Sequence, residues 1–128
     1  MDEFDIPIFK KLYDLYRLLH LYQASIPKAD RHTLWQTIQS NCLELLELVL
    51  LASQQSKDTK LPTLQAASVK LNVLRTLVRL SKDTKAIDTK KYIALQKHID
   101  DVGRQLGGWL QSSKSPPPRV SGGFGSRL

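Results

Sequence analysis

Four stretches of this chain place an apolar residue at every third or fourth position, and that beat restricts the fold more than anything else in it. The first runs Ile8, Leu12, Leu15, Leu19, Tyr22, Ile26 and the second Trp35, Ile38, Cys42, Leu45, Val49, Ala52. The third runs Leu64, Ala67, Leu71, Leu74, Val78 and the fourth Tyr92, Leu95, Ile99, Val102, Leu106, Trp109. Such spacing puts each set on one face of a helix, in a seam like that of a coiled coil. No run alternates with period two over a useful length, so no strand is expected. A chain of 128 residues suits one domain with one core.

The breaks between the stretches are short. They fall around Pro27–Asp30, Gln55–Lys60 and Thr84–Asp88, and short links force consecutive helices to run antiparallel. The fold class expected is therefore all-α, an up-down-up-down antiparallel four-helix bundle. Pro7, Pro27 and Pro62 fall near segment starts, where a helix tolerates proline. Asp30 and Asp88 are the expected N-caps of the segments they open. The bundle is assigned to residues 1–112. Residues 113–128 are rich in Pro, Gly and Ser and read as a disordered tail. Within that tail Arg119, Phe124 and Arg127 offer weak nucleic-acid contact at most.

The apolar residues exceed what one seam needs. The third segment carries a second row, Ala66, Val69, Val73, Leu77 and Leu80. Together the two rows cover about 200° of the helix, about twice the stripe that a single buried face requires. Leu43, Leu46 and Leu50 broaden the second segment, and Phe9, Tyr13 and Tyr16 form an extra row on the first. Contiguous exposed apolar surface marks interfaces, so a homo-oligomer is expected; the alternative is a plump monomer core. In the fourth segment Gly103 and Gly107 lie four apart and leave one helix face bare, inviting close approach by another backbone. The interface set is Val73, Leu77, Leu80, Gly103 and Gly107. Lys70 falls between the two apolar rows, and pairing with Glu44 or Glu47 across an interface would explain it.

Candidate chemistry is scarce. A di-metal bundle site requires Glu-x-x-His pairs facing inward, but no histidine follows Glu44 or Glu47 at that spacing, and His20, His32 and His98 lie apart. No metal and no cofactor is expected. Cys42, the only cysteine, sits in a seam as a small core residue, which excludes an internal disulfide and fits a reducing cytoplasm. There is no phosphate loop and no Ser/His/Asp set, so no enzyme is expected and no catalytic residue is assigned. Met1–Asp5 is acidic and unlike a signal peptide. The longest apolar run, Leu43–Ala52, is ten residues long and contains two glutamates, too short and too charged to span a membrane.

Charge is the informative property. The chain carries +7 in all. Residues 1–56 hold five Lys/Arg against seven Asp/Glu, residues 57–108 hold eleven against five, and residues 109–128 add three more cations. In the third segment Ser68, Asn72, Arg75, Arg79 and Lys82 share a face away from the apolar rows; Lys85, Lys90 and Lys91 crowd the turn that follows. Arginine grips phosphate bidentately and serine or asparagine adds a neutral donor, so these eight residues form the candidate nucleic-acid site. A solvated helix face is the alternative. Only Asp83 is placed to partner Arg79, while Lys97 and Arg104 are expected to pair locally with Asp101 and Asp100.

The stretches PIFKKLYDLYRLL (Pro7–Leu19), PKADRHTLWQTIQSNCLELLELVLLA (Pro27–Ala52), LNVLRTLVRLSKD (Leu71–Asp83) and YIALQKHIDDVGRQLGGWL (Tyr92–Leu110) resemble the Avd proteins. These are the accessory variability determinants of diversity-generating retroelements, within the four-helix-bundle family first noted in ribosomal-RNA intervening sequences. The resemblance covers about residues 6–112, and LRxLxRL with GRxLGGW is its most specific part. It implies a cytosolic bundle assembled as a homo-oligomeric ring, a pentameric barrel. It also implies binding to the element's reverse transcriptase and to template RNA or DNA, in support of mutagenic cDNA synthesis and retrohoming. The other function class is a basic oligomeric scaffold that docks an acidic protein and has no direct nucleic-acid role.

Overall fold

The structure, a computed structural model, describes residues 6–114, and within them all regular structure is helical. Helix α1 (Pro7–Gln23) opens on a proline, whose missing N–H is one of the donors a first turn leaves unused. A single turn, α2 (Lys28–Arg31), precedes α3 (Leu34–Gln54), and two residues separate α3 from α4 (Lys57–Asp83). A five-residue turn leads to α5 (Thr89–Lys114). Helices α1 and α4 each pack against both α3 and α5, so neighbours in sequence are neighbours in space and α1 closes the square against α5. With α2 as a one-turn link, the four long helices form the expected antiparallel bundle.

The seams are the core. Leu12, Leu15, Leu19, Trp35, Ile38, Leu45, Leu64, Leu74, Leu95 and Ile99 are fully buried, and only the aromatic members Tyr22, Tyr92 and Trp109 stay half-exposed. Each such side chain contributes roughly 1.5–3 kcal/mol on leaving water. The indole N–H of Trp35 donates to the Leu19 carbonyl at 3.1 Å, pinning α3 to α1. Two turns further along α3, Cys42 places Sγ 3.9 Å from the Leu12 carbonyl of α1. Burial pushes its pKa up to about 12, so it stays a protonated thiol at neutral pH and serves as packing.

Helix boundaries differ from expectation in three places. Asp88 does cap α5, accepting from the Lys91 N–H at 2.8 Å, but Asp30 caps nothing. It lies inside α2, a turn nucleated at Pro27, whose carbonyl accepts from the Asp30 N–H at 2.9 Å; α3 follows Thr33 without a side-chain cap. Because α4 begins at Lys57, Pro62 falls in its second turn and removes one donor from the ladder. Finally, α5 runs through Gly107 and Gly108 to Lys114, two residues past the expected boundary. The rest of the tail, with Arg119, Phe124 and Arg127, lies outside the described residues.

Candidate nucleic-acid interface

Helix α4 has two flanks of opposite character. Ala66, Val73 and Leu77 stand at i−4, i+3 and i+7 from Lys70, so they share its side of the helix, and Lys70 pairs with Glu44 of α3. This salt bridge is within one chain, not across an interface as expected: it links α3 and α4 where the apolar row needs a polar interruption. The row itself is open to solvent, with Val69 64%, Val73 44% and Leu80 44% exposed, and Leu77 half-buried. Asn41 is buried on the adjoining side of α3, its amide nitrogen without a partner.

The other flank faces α5. Ser68, Asn72, Arg79 and Lys82 lie at i−7, i−3, i+4 and i+7 from Arg75, about 140° around the helix from Lys70. The Arg75 guanidinium pairs with Asp100 of α5 and donates to Gln96 Oε1 at 3.5 Å. Arg75 is thus held in a bridge between α4 and α5. That bridge takes Asp100 away from Arg104, which turns to Asp101 at i−3 instead. Asp101 also lies 4.0 Å from Lys11 of α1, and Lys97 forms no ion pair among the described residues. The expected Arg79–Asp83 contact is present, long at 3.8 Å, with Arg79 70% exposed.

Two depressions run along this flank. The larger, of about 1000 Å³, is walled by Arg75, Arg79, Tyr92, Lys97, Asp100 and Arg104. The smaller, of about 410 Å³, lies between Ser68, Asn72 and Arg75 of α4 and Gly103 and Gly107 of α5. The glycines therefore belong to the basic flank and not with Val73, Leu77 and Leu80; the expected interface set divides between two faces. A Cβ on Gly103 meets only the side chains of Arg75 at 3.4 Å and Leu71 at 3.6 Å, and one on Gly107 meets nothing within 4 Å. No backbone among the described residues approaches them, so within the bundle itself the close-approach reading finds no partner helix.

The remaining cations gather where α4 gives way to α5. Lys82 lies in the last turn of α4 with Nζ 4.8 Å from the centre of the Tyr92 ring. Lys91 places Nζ 5.5 Å from the Tyr22 ring centre and 3.8 Å from Asp88. The backbone N–H of Lys91, with the ammoniums of Lys91 and Lys90 nearby, holds the Asp88 carboxyl below its usual pKa. Lys85 and Lys90 are exposed and form no ion pair among the described residues. No cluster among the described residues is arranged to hold a metal ion, and no described helix is long and apolar enough to cross a membrane.

A small antiparallel four-helix bundle with an apolar core, and with one apolar and one basic flank on a single helix, is the class that these features define. Within that class the chain belongs to the bAvd-like family, whose model matches residues 7–113. No curated protein matches it.

Proposed function

We propose that this chain is a non-enzymatic accessory protein of a diversity-generating retroelement. It binds the element's reverse transcriptase and nucleic acid and supports mutagenic cDNA synthesis in the cytoplasm. Membership of the bAvd-like family supports the accessory role. The observation that carries the nucleic-acid part is the placing of cations from α4 and α5 on one side of the bundle, with Lys85 and Lys90 in no ion pair among the described residues. The exposed row Val69, Val73 and Leu80 supports assembly into a homo-oligomeric ring, for which five copies is the family-based reading.

The test is affinity purification of the tagged chain beside the reverse transcriptase encoded next to it, with and without nuclease. The enzyme should be retained after nuclease treatment, while nucleic acid co-elutes only without it. Retention of the enzyme with no nucleic acid in either sample would move the protein to the scaffold class. Loss of both would remove the accessory role.

A further inference from the structure

We propose that the corner joining α4 to α5 is where this protein grips phosphate, and that its ligand there is double-helical nucleic acid held by the backbone alone. The inference rests on the nucleic-acid reading above and gives it a place and a mode.

The first observation is Lys85. It stands at φ 66°, the left-handed conformation that closes a helix C-terminus and that glycine or asparagine ordinarily fills. The closure around it is complete: the Thr84 N–H donates to the Leu80 carbonyl at 2.9 Å and the Ala86 N–H to the Ser81 carbonyl at 2.8 Å. A glycine makes the same bonds without a Cβ in the way. A lysine here sacrifices local stability and places an ammonium at the tip of the bundle, which makes sense if the charge is used.

The second observation is the electrostatic surroundings. Both carboxylates of the corner are engaged, Asp83 with Arg79 and Asp88 with the backbone and side chain of Lys91. Lys85 and Lys90 make no salt bridge among the described residues, Lys90 acting on Asp88 only from a distance, and Lys82 and Lys91 stand beside them. On α4's own face, by contrast, Arg75 is already bonded to Asp100 and Arg79 is turned to Asp83, so along that helix it is the corner that offers ready cations.

The third observation fixes the mode. Single-strand binders present aromatic faces on which bases stack. At this corner the rings of Tyr92 and Tyr22 lie beneath the ammoniums of Lys82 and Lys91. What remains is a set of point charges, which suits the denser phosphate array of a duplex and reads no sequence.

The experiment is fluorescence anisotropy with a mixed-sequence 20-base-pair duplex and with one of its strands, against salt, for the parent, Lys85→Gly, Lys85→Ala and Lys90→Ala. Thermal melts run alongside. The parent should bind duplex more tightly than single strand. Each lysine change should lower the duplex log–log salt slope by about 0.9. Lys85→Gly and Lys85→Ala should lose the same affinity while the glycine variant melts higher, separating use of the charge from damage to the fold. Unchanged slopes in the lysine variants, with binding lost in Arg75→Ala/Arg79→Ala, would overturn the corner and leave the nucleic-acid reading standing. A parent that binds neither probe would overturn both, and tighter binding of the single strand would overturn the duplex mode.

Discussion

Asp100→Asn should convert Arg75 from a bridge into a phosphate contact. In the folded chain the guanidinium is tied to the Asp100 carboxylate and braced by Gln96, whose amide also donates to the Arg75 carbonyl at 3.5 Å. Both partners of the bridge are partly in water, 39% and 52% exposed, so its loss should cost the fold only about 0–1 kcal/mol. Neutralising Asp100 removes one repulsive charge and releases one donor fork. One added contact on duplex steepens the log–log salt slope by about 0.9. Between 50 and 200 mM salt that slope corresponds to a roughly 3.5-fold change in the affinity ratio of variant to parent, with the variant favoured at low salt. Anisotropy titrations at four salt concentrations measure it. Asp100→Asn/Arg75→Ala should return to the parent slope, closing a cycle that assigns the gain to Arg75. A folded Asp100→Asn protein with the parent's slope, or with weaker binding, would refute the idea that Arg75 is a masked phosphate ligand.

Trp35→Phe should destabilise the bundle, through the lost bond to Leu19 at about 1 kcal/mol and the space left by the smaller ring; urea unfolding with an unchanged m-value checks it. Gly107→Ala should stabilise the isolated bundle by about 0.8–1 kcal/mol, since a Cβ there touches nothing and glycine is a poor helix former. If Gly107→Leu folds but sediments as a smaller species, a second copy uses that bare face; unchanged sedimentation removes Gly107 from the interface. The cap at α5 predicts acid sensitivity. The folded pKa of Asp88 is lowered, so its contribution to stability is present above the unfolded value of 3.8 and is lost as pH falls through the folded one. Asp88→Asn should therefore lessen the drop in melting temperature between pH 5 and pH 2.5, and an equal drop in both proteins would disprove it.

The helices were legible because burial in a bundle needs only a period. Ile8–Leu12–Leu15–Leu19 and its three counterparts are buried where the beat places them. Asp88 was legible as well, since a cap is a local device. Asp30 misled for the same reason: its residue type suits a cap, but Pro27 starts a separate turn that absorbs it. Cross-helix pairs were harder. Arg75 and Asp100 are 25 residues apart, and only the register of α4 against α5 brings them together. A periodic pattern leaves that register undetermined. Once Arg75 claims Asp100, the choice of Asp101 by Arg104 follows, so a single unreadable contact altered two local expectations.

The candidate site shows the same division between angle and register. An apolar arc of about 200° on α4 said that the helix serves more than one surface, and the exposed Val69, Val73 and Leu80 agree. It did not say which neighbour borders each edge. Lys70 with Glu44 and Arg75 with Asp100 answer that: α3 borders the apolar edge and α5 the basic one. Gly103 and Gly107 thereby move to the basic side, beside Ser68 and Asn72. In a ring built head to tail, each copy needs two different faces, because a single self-complementary patch closes as a dimer. A helix with an apolar edge and a polar, glycine-floored edge supplies two such faces, and only the apolar one draws its adhesion from burial. If the glycine-floored edge takes up a neighbouring copy, Arg75 and Arg79 lie close to the subunit boundary. The α4–α5 corner, at the end of the bundle, keeps its lysines clear of it.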